Sequence, residues 1–123
     1  MKEIHERIYA ETKAQEMRFK KRPVIICTNC KRPFAETLYR NGKVKSSKIV
    51  IPKRFKRYRK LYAVVLAHEK NEVLYQQNVK DGRLLHNRFS HGYALTQEKK
   101  HLREAHLSKN RYIELTRKLG FVP

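Results

Sequence analysis

The chain predicts a small α+β protein, mostly helical, in which a short antiparallel sheet carries a C-x-x-C knuckle between a charged N-terminal helix and a C-terminal helical hairpin. Three observations lead there. An Asn41-Gly42 pair sits between two strand-like flanks, residues 53 to 80 contain neither Gly nor Pro, and the last thirty residues hold two segments with helix start and stop signals. At 123 residues the chain has room for one modest core, hence one domain. Four stretches divide it: a charged helix or arm over 1–22, the knuckle and hairpin over 23–52, a basic central segment over 53–82, and a loop with the helical hairpin over 83–123.

The N-terminal helix rests on spacing. Ile4 with Ile8, and Ala10 with Ala14 and Met17, recur at helical intervals through residues 2 to about 20. Pairs such as Glu3 with Arg7 and Glu16 with Lys20 each add about 0.2–0.5 kcal/mol. The apolar stripe is thin, which predicts a largely solvated arm or a helix lying on a partner, ended near Pro23.

Val24-Ile25-Ile26 is a β-branched run leading into Cys27. Asn41-Gly42, between Leu38-Tyr39-Arg40 and Lys43-Val44, is the strongest hairpin signal, because a type I′ turn needs positive φ at both central residues. Ile49-Val50-Ile51 supplies another strand before Pro52. Together these predict a small antiparallel sheet with Lys43, Lys45 and Lys48 on its exposed edges.

From Lys53 onward a helix is expected, with Asp81-Gly82 as its stop. Phe55, Tyr58, Tyr62, Val65, Leu66 and Val73 fall near one face of it. A β-hairpin pairing residues 61–67 with 73–77 is the rival, since valine and tyrosine favour strands. Leu84 to Leu95, which contains Gly92, reads as an irregular connection. Thr96 fits an N-cap, with Glu98 in the first turn, for a helix that carries Leu102 and Ala105 inward to about Ser108. A second helix runs from about Arg111 through Tyr112, Ile113, Leu115 and Leu119 to Gly120.

Charge is the strongest functional signal. Thirty Lys and Arg against eleven Asp and Glu leave a net charge of +19, and the excess is local. Residues 17 to 68 hold sixteen Lys or Arg against Glu36 alone. Inside them, Lys53-Arg54-Phe55-Lys56-Arg57-Tyr58-Arg59-Lys60 sets two aromatic residues among six cations. A local excess of this kind repels itself, and a phosphate backbone relieves it. Lys53, Arg54, Lys56, Arg57, Arg59 and Lys60 are therefore the expected nucleic-acid contacts, with Lys20, Lys21, Arg22, Lys43, Lys45 and Lys48 extending the footprint. On a helix the aromatic residues would anchor the core and the cations alone would face the ligand. The partner expected is DNA or structured RNA, not a membrane: the longest apolar run, Leu61 to Ala67, is too short to span a bilayer. Residues 1–6 lack the apolar core of a signal peptide, which predicts a protein of the cytoplasm or of a nucleic-acid compartment.

Cys27 and Cys30 are the only cysteines. C-x-x-C after a strand is similar to a zinc knuckle, which aims two thiolates at one cation. Two further ligands are needed, and His86 and His91 are the best candidates, with His68 a substitute. Zinc held by Cys27, Cys30, His86 and His91 is the expected cofactor. The same motif resembles thioredoxin-type redox sites, but the alternating βαβ pattern of that fold is missing.

Glu114 to Val122 resembles the first helix and turn of a helix-turn-helix, without the recognition helix that reads bases. His86, Asn87 and His91 invite comparison with His-Asn-His nucleases, although two-metal phosphodiester chemistry usually needs several carboxylates and Asp81 is the only one nearby. The sequence thus predicts noncatalytic nucleic-acid binding through phosphates with limited base readout, serving a nucleic-acid machine as a regulator or accessory factor. A ribosome-associated or ribosomal RNA-binding protein and a small metal-dependent nuclease are the alternatives.

Overall fold

A ten-residue strand forms the middle of a three-stranded sheet in the computed structural model, which describes residues 6–8, 10–12, 24–41, 43–78 and 87–120. The strands are β1 (Val24–Cys27), β2 (Phe34–Arg40) and β3 (Lys43–Pro52), in the order β1-β3-β2. β2 and β3 pair antiparallel from Phe34↔Val50 to Arg40↔Lys43, with an irregularity between Leu38 and Tyr39. Asn41 takes φ 53° between them, the left-handed conformation that the turn demands. β1, however, runs parallel to β3, with Val24 opposite Ile49 and Ile26 opposite Ile51. The sheet is mixed, not antiparallel, because the loop after Cys27 and all of β2 intervene before the chain returns along β1.

Alternation on β3 decides what the sheet buries. Ser47, Ile49 and Ile51 share one face, and the two isoleucines have no solvent exposure. Lys48 lies on the other face of this central strand, opposite Glu36, with Nζ 3.2 Å from its carboxylate. It is a paired residue of the sheet face, not an edge residue.

Pro52 leads into a 3-10 helix, Lys53–Arg57, followed by the twenty-residue helix α1 (Arg59–Asn78). The helical expectation for the central segment holds over these residues. The Asp81-Gly82 stop lies outside the described residues. Helix α1 meets β2, β3 and the helices that follow, so it buries more than one face: Leu61, Val64, Val65, Val73, Leu74 and Tyr75 are all buried. This is why no single apolar stripe marks it. Each such apolar side chain contributes about 1.5–3 kcal/mol. Polar links fix its register on the sheet. Thr37 Oγ1 donates to Gln76 Oε1 at 2.6 Å and is 2.9 Å from Ser47 Oγ, while Gln77 Nε2 donates to that Ser47 oxygen at 3.1 Å.

Three shorter helices follow: α2 (Asn87–Thr96), α3 (Glu98–Glu104) and α4 (Lys109–Lys118). Helix α2 replaces much of the expected irregular connection. Tyr93 and Ala94 on it are buried, and the Tyr93 ring stacks on Tyr75 of α1 with centroids 6.1 Å apart, so tertiary packing overrides the weak propensity of Gly92. Thr96 accordingly ends a helix and does not cap the next one. Its hydroxyl donates back to the Tyr93 carbonyl at 2.6 Å, and Gln97 precedes α3 without a side-chain cap. Ser108 is the working N-cap, accepting from the Arg111 amide at 3.2 Å, and Gly120 takes φ 71° past the end of α4. Leu102, Leu107, Tyr112 and Leu115 join Ile49, Ile51, Phe55 and the α1 side chains in one core.

At the N-terminus, residues 6–8 and 10–12 are helical, and Ile8 and Thr12 are buried, with the Thr12 hydroxyl donating to the Ile8 carbonyl at 2.6 Å. Glu6, Arg7 and Ala10 are exposed, so this part of the arm packs one face and leaves the other to solvent. Among the described residues no helix is long and apolar enough to cross a membrane.

Candidate functional site

The basic stretch forms the 3-10 helix and the first turn of α1. Phe55 points inward with no exposure, and Tyr58 and Tyr62 pack against the core. The three aromatic residues turn the cations outward: Lys53, Lys56, Arg57, Arg59 and Lys60 are exposed. Among the described residues none of these five pairs with a carboxylate. Lys60 Nζ donates to the His106 carbonyl at 3.1 Å, and the Arg57 guanidinium lies 5.8 Å from the Tyr58 ring centre. Neither interaction neutralises a charge. Neither the 3-10 helix nor α1 carries an acid in its first turn. The cations therefore crowd the end of α1 where the helix dipole is already positive, the end that favours anions.

Arg54 differs from its neighbours. Its Nε donates to the Leu119 carbonyl at 3.1 Å, and its terminal nitrogens donate to the carbonyls of Cys30, at 2.7 Å, and Lys31. This guanidinium serves the fold, and by doing so it gathers cationic segments. The loop bearing the exposed Lys31 and Arg32 and the end of α4, with exposed Arg117 and Lys118, meet at the 3-10 helix. Lys118 is partly offset by Glu114 at 3.5 Å, which also pairs with Arg111 at 2.8 Å. The remaining footprint residues are divided. Lys48 is paired as described, Lys43 and Lys45 lie on β3 with side chains outside the described set, and Lys20, Lys21 and Arg22 lie outside the described residues.

The expected zinc knuckle takes a different form. Cys27 and Cys30 are joined in a disulfide, so neither sulfur is a free thiolate. His86 lies outside the described residues. His91 meets His68 and Glu72 instead. His68 and Glu72 stand at i and i+4 of α1, which puts them on one helix face, and the Tyr75–Tyr93 stack holds α2 where it brings His91 to them. His68 Nε2 is 3.1 Å from His91 Nδ1 and 3.4 Å from Glu72 Oε2, and His91 Nδ1 is 3.9 Å from Glu72 Oε1.

Glu69 stands behind this cluster, 4% exposed, with its side chain hydrogen-bonded to Glu72. Burial first, and then the charge of Glu72, pushes its carboxyl up to about 10, so at neutral pH it keeps its proton and donates. Burial alone would raise Glu72 as well, but the hydrogen bonds from His68 and Glu69 and the nearby imidazoles bring it below its ordinary value. The arrangement can do two chemical things: hold a polyanion on the basic surface, and present two imidazoles with one carboxylate to a cation. Glu69 and Glu72 were not singled out from the sequence. The signal for them was the i, i+4 spacing of His68 and Glu72 within a stretch already expected to be helical.

No protein-family model matches the chain, and neither a curated protein nor a solved structure matches it.

Proposed function

We propose that the protein binds nucleic acid without cleaving it, touching the phosphate backbone through Lys53, Lys56, Arg57, Arg59 and Lys60 and serving a nucleic-acid machine as an accessory factor. One observation carries the proposal: five exposed cations without carboxylate partners among the described residues crowd the positive end of a twenty-residue helix. Like charges stacked on a positive dipole raise the energy of the free protein, and phosphates relieve it while releasing their own counterions. Lys31, Arg32 and Arg117 extend the surface. Phe55 is buried and the tyrosines pack on the core, so base stacking contributes little and sequence preference is weak.

The test is binding of a labelled DNA duplex and a labelled RNA stem-loop by the wild type and by a variant with Lys53, Lys56, Arg57 and Arg59 changed to alanine. At about 100 mM salt the variant should bind both probes at least about tenfold more weakly. Equal binding by the two proteins would place the interface elsewhere. A strong preference for the stem-loop would move the protein to the ribosomal or ribosome-associated class. Cleavage of either probe with added divalent metal would replace the noncatalytic proposal with a nuclease.

A further inference from the structure

We propose that His68, Glu72 and His91 form a binding site for one divalent transition-metal ion of the zinc class, clipping α2 to α1. The inference is independent of nucleic-acid binding, because it rests on a different part of the molecule. About nine residues of α1, roughly 14 Å at the helical rise, separate Arg59 from His68.

The donor set comes first. Two imidazole nitrogens and one carboxylate are a recurrent protein ligand set for zinc, leaving a fourth position for water. Magnesium and calcium prefer oxygen throughout, so the two histidines select against them.

The geometry comes second. Zinc bonds of about 2.1 Å in a tetrahedron put neighbouring donor atoms about 3.4 Å apart. Here the two imidazole nitrogens are 3.1 Å apart, Glu72 Oε2 is 3.4 Å from His68 Nε2 and Glu72 Oε1 is 3.9 Å from His91 Nδ1, and one donor atom from each side chain lies within 4.8 Å of the other two. The three side chains converge on one place, and closing on an ion draws a single Glu72 oxygen toward both imidazoles.

The surroundings come third. Glu69 and Glu72 place two carboxylates one helical turn apart in a largely buried place, and Oε2 of Glu69 has no hydrogen-bond partner. A dication beside Glu72 offsets the burial of its negative charge. The hydrogen bond between Glu69 and Glu72 orients the carboxylate ligand, as residues behind metal ligands commonly do. The His91 side chain is 42% exposed, so solvent and an incoming ion reach the site.

The test uses the full chain, stripped of metal by chelator, titrated with Zn2+ by calorimetry and with Co2+ by visible absorption. The expected result is one equivalent of Zn2+ and a Co2+ spectrum of low coordination number, with Mg2+ binding far weaker. His91→Ala and Glu72→Gln should each abolish the stoichiometric binding while still unfolding cooperatively in chelator, so that the loss is of the site and not of the fold. Glu69→Ala, which removes the donor to Glu72, should weaken binding about 10–100-fold, whereas Glu69→Gln, which keeps one, should bind much as the parent does. A Cys27→Ser, Cys30→Ser double variant should bind as the parent does. The proposal is overturned by absence of saturable Zn2+ binding, by binding that survives both His91→Ala and Glu72→Gln, by equal affinity for Mg2+, or by binding that disappears with the cysteines.

Discussion

Arg54 Nε donates to the carbonyl oxygen of Leu119, sixty-five positions away, at 3.1 Å. With its bonds to the Cys30 and Lys31 carbonyls, this one side chain ties the loop after β1 to the end of α4. Arg54→Ala should therefore cost about 1.5–3 kcal/mol, the range for hydrogen bonds that involve a charged group. Lys56→Ala, two positions on and exposed, should stay within about 0.5 kcal/mol of the parent. Denaturant midpoints at unchanged slope give both values. Equally small losses would show that Arg54 is one more surface cation.

The stacked pair Tyr75 and Tyr93, no more than 1% exposed, fixes α2 on α1. Truncating Tyr93 to alanine should destabilise by about 3–5 kcal/mol, as for other buried aromatic residues. Because His91 rides on the same helix, the variant should also lose Zn2+ binding even at temperatures where it remains folded. Retained stability would mean that α2 is docked by other side chains.

Ser108 caps α4 through its side chain, whereas Gln97 makes no such bond to α3. Ser108→Ala should cost about 1 kcal/mol, and Ser108→Asp should restore most of it. Thermal unfolding of the pair decides this, and an unchanged midpoint in the alanine variant would remove the cap from the account.

The proton on Glu69 makes stability depend on pH. The unfolded chain releases it near the ordinary 4.5, whereas the folded chain keeps it until about 10. Between those values the folded state binds more protons, so its stability falls as pH rises. Glu72, held below its ordinary value, acts in the opposite sense. The stability it contributes is present above about 4.5 and is lost as pH falls through its lower folded value. In metal-free protein, Glu69→Gln should be more stable than the parent at about pH 8 and should flatten the decline between about pH 6 and 9. An undiminished decline would show that Glu69 ionises within the fold.

Much of this was legible in the sequence, for reasons that differ from element to element. Asn41 was legible as a left-handed position between β2 and β3 because few residues tolerate positive φ. The helix over α1 followed from the absence of Gly and Pro, and its aromatic residues behave as core anchors beneath outward cations. The parallel pairing of β1 was not legible, since partner choice depends on how the intervening loop and β2 return the chain. Helix α2 was hidden because Ser90 and Gly92 argue locally for a loop, while the burial of Tyr93 and Ala94 is a tertiary fact. C-x-x-C reads identically whether its sulfurs hold a metal or each other. Arg54 looked like its neighbours because charge pattern does not distinguish a solvated guanidinium from one that bonds three carbonyls.

If the cations at the start of α1, which have no carboxylate partner among the described residues, hold phosphates, the salt dependence of DNA binding shows it most directly. The logarithm of the affinity for a duplex should fall linearly with the logarithm of salt concentration. Changing Lys53, Lys56, Arg57 and Arg59 to alanine should reduce that slope by about 3 to 4 units, near 0.9 for each phosphate no longer neutralised. A slope the same as the wild type's would contradict the account.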